Sequence, residues 1–120
     1  MNSSDISKLY FAKGGSLIPV IAQDYKSKKV LMFAYANELA LKKTLETGYA
    51  HYWSRSRNKL WMKGEESGHT QRVKKVLVDC DSDAVLYLVD QKGPACHTNK
   101  PTCFFSYIPL TSRSDKRKDH

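Results

Sequence analysis

Cysteine is scarce in this chain, with three in 120 residues, and the number is odd. Three thiols cannot pair off into disulfides within one chain, so a disulfide scaffold is excluded. Long apolar runs are missing too. The longest, Val30 to Ala36, falls far below the roughly 20 residues that span a bilayer. No N-terminal export signal is visible, because Leu17 to Ala22 is short and carries Pro19. A cytoplasmic protein is therefore expected, in a compartment that keeps thiols reduced and available to metal. Internal repeats, low-complexity stretches and interdomain linkers are absent as well. The composition, 41% hydrophobic and 27% charged, is that of an ordinary globular protein. We expect a single domain over 1–110 and a basic, disordered tail over 111–120.

The formal charge of +8 favours an anionic partner, either nucleic acid or a small molecule bearing phosphates. The segment from Arg113 to His120 carries four Lys/Arg against two Asp, so the rest of the chain keeps +6. The basic character does not depend on the tail.

Periodicity and turn residues predict a mostly antiparallel sheet with one helix, an α+β or β-roll architecture. Leu17–Gln23 and Lys29–Tyr35 read as a strand pair. Asn37 is an N-cap for a helix over about 38–47, with Leu41 and Leu45 on one face and Gly48 ending it. Tyr49–Ser54 and Lys59–Met62 read as strands around a basic turn. Gln71–Asp79 and Ala84–Asp90 read as a second hairpin, and Cys103–Ile108 as a last strand.

The cysteines are Cys80, Cys96 and Cys103. Three thiolates are one short of a closed structural zinc site but match the protein ligand count of a catalytic one. Cys80 sits among Asp79, Asp81 and Asp83, which alternate along the chain. In an extended strand the three carboxylates share one face and Cys80 points to the other. Carboxylates so crowded repel unless a cation or protons neutralise them, and hard cations favour oxygen ligands. The segment then reads as a ridge between two metal sites. Each feature also has a plainer reading: a free cysteine packs as a small apolar side chain, and an Asp cluster marks a solvated turn. A calcium-binding EF-hand loop is excluded, because Ala84 stands where that loop needs glycine.

Other candidates are less specific. Arg55 and Arg57 in Ser54-Arg55-Ser56-Arg57, with Lys63 before a Gly-flanked loop, are suited to phosphate oxygens, though an exposed basic turn has the same composition. Trp53, Trp61 and Tyr52 are placed to stack on a base or to pack in a core. His97, beside Cys96, is a candidate fourth ligand, general base or plain surface residue.

Taken together, Val30-Leu31-Met32-Phe33-Ala34-Tyr35, Thr47-Gly48-Tyr49-Ala50-His51-Tyr52-Trp53-Ser54-Arg55-Ser56-Arg57, and Leu60-Trp61-Met62-Lys63-Gly64-Glu65 with Ser67-Gly68-His69 form an ordered series. It continues through Asp79-Cys80-Asp81-Ser82-Asp83 and Gly93-Pro94-Ala95-Cys96-His97-Thr98 to Cys103-Phe104-Phe105. This series resembles the phosphoribosyl-AMP cyclohydrolases of histidine biosynthesis from about residue 17 to 107. Departures are small: Ala36 stands where the family often has methionine, Glu66 where threonine is usual, and Lys100-Pro101-Thr102 where the family is more basic.

The resemblance implies hydrolytic opening of the adenine ring of 1-(5-phosphoribosyl)-AMP between N1 and C6. It also implies an intertwined homodimer with a roll or pseudo-barrel fold. One zinc per subunit is shared across that dimer, Cys80 coming from one copy and Cys96 and Cys103 from the other. Asp79, Asp81 and Asp83 match the family's magnesium ligands. On this reading His97 or His69 moves the catalytic proton, Arg55, Arg57 and Lys63 bind phosphate, and Trp53 contributes to the substrate site. The partner on this reading is a small molecule, and no nucleic-acid or membrane partner is expected. A pyrophosphohydrolase domain, fused in some relatives, has no counterpart in the sequence. Two rival readings are a zinc-bound nucleic-acid module and an inactive scaffold. The acidic cluster disfavours the first, since it repels phosphate without a cation. The complete cysteine trio disfavours the second.

Overall fold

Alternation sets the strands. In β1 (Ile18–Asp24), Ile18, Val20 and Ala22 are fully buried, while Ile21 between them is exposed. Val85, Tyr87 and Val89 repeat that pattern in β6 (Val85–Gln91). A computed structural model describes Ile6, Leu9 and residues 16–111, and in it these strands lie side by side at the centre of a four-stranded sheet. The order is β2-β1-β6-β5, with β2 spanning Val30–Ala36 and β5 Gln71–Val78. Strands β1 and β2 pair antiparallel, as do β5 and β6, and both pairs were expected. The β1–β6 pairing is parallel, with Val20 opposite Val85 and Asp24 opposite Val89. That long-range pairing has no local turn signal, so the sequence does not announce it.

The helix α1 spans Glu38–Thr47, as expected. Asn37 is extended and its Oδ1 accepts from the Ala40 N–H at 2.9 Å. Gly48 ends the helix at φ 81°, a left-handed conformation that glycine adopts at low cost. Ala40, Leu41 and Thr44 form its buried face, which packs chiefly on β3 (His51–Ser54). Strand β3 pairs with β4 (Lys59–Met62) as a separate two-stranded sheet, with Tyr52 opposite Trp61.

Between these layers lies a core with two fully buried tyrosines. Tyr87 and Thr44 share a hydrogen bond at 3.2 Å. Tyr52 donates to Gln71 Oε1 at 2.6 Å, and Gln71 passes on to Gln91 Oε1 at 2.9 Å. Gln91 in turn donates to the His69 carbonyl at 3.1 Å. The relay ties β3, β5 and β6 to the loop that carries His69.

The α+β class with one α-helix and mostly antiparallel strands holds, and three sequence expectations need correction. Neither sheet closes into a roll or pseudo-barrel among the described residues; β2 and β5 are the edge strands of the larger sheet, and Gly48–Ala50 bridges the start of β5. Cys103–Ile108 forms no strand. Its start is tied to β2 by Thr102 Oγ1 donating to the Val30 carbonyl (2.6 Å) and Cys103 N–H to the Leu31 carbonyl (2.7 Å). Beyond that point no strand among the described residues pairs with it, and its aromatic and β-branched side chains stay exposed. Finally, Asp79–Asp83 is a reversal and not an extended ridge, because β5 must turn back into β6 there. Ser82 adopts φ 60° to make the turn, and Asp and Ser are turn formers whatever their spacing. The expected tail over 111–120 lies outside the described residues apart from Thr111.

Candidate metal and substrate site

The β5–β6 turn gathers its acids. Carboxylate oxygens of Asp79, Asp81 and Asp83 all lie within 4.8 Å of one another, the one such group of three metal-capable side chains among the described residues. Asp79 Oδ1 also accepts from the Asp83 N–H (3.0 Å) and the Ala84 N–H (3.3 Å), which shapes the turn. Opposite oxygens around octahedral magnesium stand about 4.2 Å apart, at twice the roughly 2.1 Å bond length. Small rotamer changes would therefore let the trio hold such an ion. Cys80 is exposed on the same turn.

Cys96 and Cys103 lie elsewhere. Their side chains are close enough to perturb each other, in a segment fastened to the start of β2. In the sheet, Val20 aligns with Val85 beside the Cys80 turn, whereas Leu31, which holds Cys103, lies next to the Ala22–Met32 pair. Strands advance about 3.3 Å per residue. Cys80 and the Cys96–Cys103 pair thus sit towards opposite ends of the sheet. One chain does not bring its three cysteines together.

The thiol pair is electrostatically uneven. Cys96 is only 6% exposed, and hydrogen bonds outweigh desolvation in setting its pKa. Thr98 Oγ1, 2.9 Å from Cys96 Sγ, holds the thiol below its ordinary pKa, helped by the Thr98 N–H. Cys103 moves the other way, because partial burial of its sulfur and then the charge of Cys96 disfavour its thiolate. Lys63 partly offsets this. Its ammonium donates to the Ala95 carbonyl at 2.5 Å, which places it beside the cysteines. Two adjacent sulfurs, one already biased towards thiolate and a lysine nearby, are a donor set suited to zinc.

The β3–β4 hairpin separates two clefts of about 540 Å³ each, which share Ser54, Ser56 and Trp61. One is completed by Arg57, Lys59, Ser67 and His97. The other is completed by Tyr35, Trp53 and Arg55. Arg55 lies over the Tyr35 ring, 4.3 Å from its centroid. The hairpin turn is closed by the Arg57 N–H donating to Ser54 Oγ (3.2 Å) and by Asn58 at φ 53°.

The two histidines differ in setting. His97 is exposed and lines the first cleft. His69 is half-buried between two glycines. A Cβ on Gly64 would collide with the His69 carbonyl group, and one on Gly93 would meet the imidazole Cδ2 at 2.6 Å. Both glycines have positive φ, so the close approach and the backbone conformation exclude other residues together. Sequence reasoning missed Tyr35, Thr98 and the Gln71–Gln91 relay. Thr98 had a local signal, a hydroxyl two residues after a cysteine; the others depend on tertiary contact alone.

The family model for phosphoribosyl-AMP cyclohydrolase matches residues 32–105, which hold every one of these side chains. The chain belongs to the phosphoribosyl-AMP cyclohydrolase family. It is accordingly an enzyme. A phosphoribosyl-AMP cyclohydrolase of Archaeoglobus fulgidus is 64% identical over 98 residues, covering 82% of this chain and 90% of that protein. Another, from Methanothrix thermoacetophila, is 66% identical over 91 residues, covering 76% of this chain and 75% of that protein. A histidine biosynthesis bifunctional protein of Aquifex aeolicus is 63% identical over 102 residues, covering 84% of this chain but 49% of that longer protein. The family shared with these relatives agrees with the resemblance seen in the sequence.

Proposed function

We propose that this cyclohydrolase opens the adenine ring of 1-(5-phosphoribosyl)-AMP by adding water at C6 and breaking the C6–N1 bond. The observation that carries the reading is the match over residues 32–105 together with the Cys96–Cys103 pair beside His97 and the Arg57 cleft. The product is the formimino-carboxamide ribonucleotide of histidine biosynthesis. Alkylation at N1 leaves the ring electron-poor, so C6 is the electrophile.

Cys96 and Cys103 of one copy, with Cys80 of a second, would hold zinc in an arrangement with room for a non-protein ligand. When bound, zinc supplies the Lewis acidity that brings the pKa of water towards neutrality. His97, on the wall of the cleft, moves the proton between water and N1, with His69 as the alternative carrier. Asp79, Asp81 and Asp83 would hold magnesium, which neutralises substrate phosphate. Arg55 and Arg57 bind phosphate directly, Trp53 offers an aromatic face, and Lys63 favours the thiolate form of Cys103.

Two features support a homodimer. Separation of Cys80 from the other cysteines leaves each chain one thiolate short at the paired end. Exposed apolar surface is also extensive. Phe33, Ile21, Leu86 and Leu77 align in register across the outer face of the sheet. Phe104, Phe105, Tyr107 and Ile108 are exposed as well, between 52% and 91%. Burial in a second copy at roughly 25 cal/mol per Å² would stabilise both. The catalytic unit is then the domain over 1–110 working as a pair in the cytoplasm. No helix among the described residues is long and apolar enough to cross a membrane.

The test follows ultraviolet absorbance as purified protein meets 1-(5-phosphoribosyl)-AMP, with magnesium present throughout and zinc present or chelated. Zinc-dependent turnover that disappears in Cys96→Ser is expected. No turnover from folded, zinc-loaded protein would refute the proposal.

A further inference from the structure

The two arginines of the basic turn between β3 and β4 do not line the same cleft. Arg57 opens into the cleft that contains His97 and the Gly64–Ser67 loop. Arg55 lies on the opposite side, in the cleft between the hairpin and β2, held over the face of Tyr35. Tyr35 is itself braced edge-on by Phe33, with ring centroids 5.2 Å apart. A guanidinium over an aromatic face keeps its N–H fork free in the plane for bidentate contact with phosphate. The substrate has a matching division. Its two phosphates end separate ribosyl arms that leave the purine at N9 and N1, on opposite edges of the ring.

Resting on the proposed reaction, we infer that Arg55 and Arg57 hold different phosphates of one substrate molecule. The purine lies along Trp61, the aromatic wall common to both clefts, and one phosphoribosyl arm crosses the hairpin into the Tyr35–Trp53 cleft. Tyr35 is then a positioning residue that acts through Arg55. In the first cleft Glu65 accepts from the Met62 N–H at 2.8 Å, and Arg57 stands beside Lys59 on the wall that would meet the second phosphate.

The halves of the substrate serve as probes. AMP carries one arm and ribose 5-phosphate the other, and each is titrated calorimetrically into the full-length, metal-loaded protein. Loss of a charge-assisted hydrogen-bond pair weakens binding roughly 10- to 100-fold. Arg55→Ala is expected to weaken one probe by that factor and spare the other, with Arg57→Ala doing the reverse. Tyr35→Leu should reproduce the Arg55→Ala selectivity, and Tyr35→Phe, which keeps the ring, should restore binding. If both arginine variants weaken the same probe, or weaken both alike, or weaken neither, the inference is overturned. Turnover by the unmodified protein is scored separately, so a failed reaction and a failed division of phosphates give different results.

Discussion

Replacing Gln71 by leucine removes the middle of the buried relay that joins Tyr52 to Gln91 and the His69 carbonyl. Gln71 is fully buried and makes two side-chain hydrogen bonds, at 2.6 Å to Tyr52 and 2.9 Å to Gln91. Leucine fills similar space but leaves both partners without their contacts. The Tyr52 hydroxyl has no water to turn to, and burial already holds its pKa well above the ordinary phenol, so it remains a neutral donor. Stranding it costs about 1–3 kcal/mol. Half-buried Gln91 can recover part of its loss from solvent, adding about 0.5–1 kcal/mol. The sum, about 1.5–4 kcal/mol, corresponds to a fall in Tm on the order of 10 °C for a domain of this size. Urea or thermal unfolding at fixed protein and metal concentration measures it, because binding and assembly shift Tm by mass action. The double variant Gln71→Leu/Tyr52→Phe should be no less stable than Gln71→Leu alone, since the stranded hydroxyl is gone. A loss below about 0.5 kcal/mol, or strictly additive behaviour in the double variant, would refute the relay argument.

Further outcomes follow from the site and its supporting turns. His97→Ala should keep zinc and substrate binding while kcat falls roughly 10²- to 10⁴-fold, the usual contribution of a general acid or base; near-normal turnover would end that assignment. Asp81→Asn should weaken magnesium binding at least about tenfold, as expected for loss of a direct ligand, with zinc content unchanged. Asp24 caps the β1–β2 turn by accepting from the Lys26 and Ser27 N–H groups, and the Ser27 bond is the main cause holding its carboxyl below the usual range. A pKa lowered in the folded state contributes stability above the unfolded value of about 3.9 and loses it as pH falls through the folded value. The urea-unfolding gap between the parent and Asp24→Ala should therefore be small but present at neutral pH, under about 1 kcal/mol for so exposed a group, and should close in acid.

Much of the fold was legible because local chemistry specified it. Asn37 and Gly48 bracket the helix with caps that work through their own backbone geometry. The alternation of Ile18, Val20 and Ala22, and of Val85, Tyr87 and Val89, separates a buried face from an open one. Non-local features were not legible in that way. Parallel pairing of β1 with β6 joins segments with no turn between them. Alternating aspartates resemble a strand face, but the hairpin needs a reversal at that point and Ser82 supplies it with a positive φ. Residues 103–108 have strand composition, yet a strand also needs a partner, and composition says nothing about where that partner lies. At the site, residue types pointed to cysteines, aspartates and arginines. Their grouping did not follow from the types: Lys63 turns to Ala95 beside the cysteines, and Arg55 and Arg57 part company across one hairpin.

The central claim is that a working site is assembled from two copies, Cys80 from one and Cys96 with Cys103 from the other. Mixing Cys80→Ser protein with Cys96→Ser protein, unfolding and refolding them together with zinc, and assaying 1-(5-phosphoribosyl)-AMP turnover tests it most directly. Each variant alone should be inactive. In a two-fold symmetric dimer of one of each, one site inherits both lesions and the other none. Random assembly should then restore about a quarter of the parent activity. No recovery from a refolded, dimeric mixture would mean that each chain builds its site from its own three cysteines, and would contradict the account.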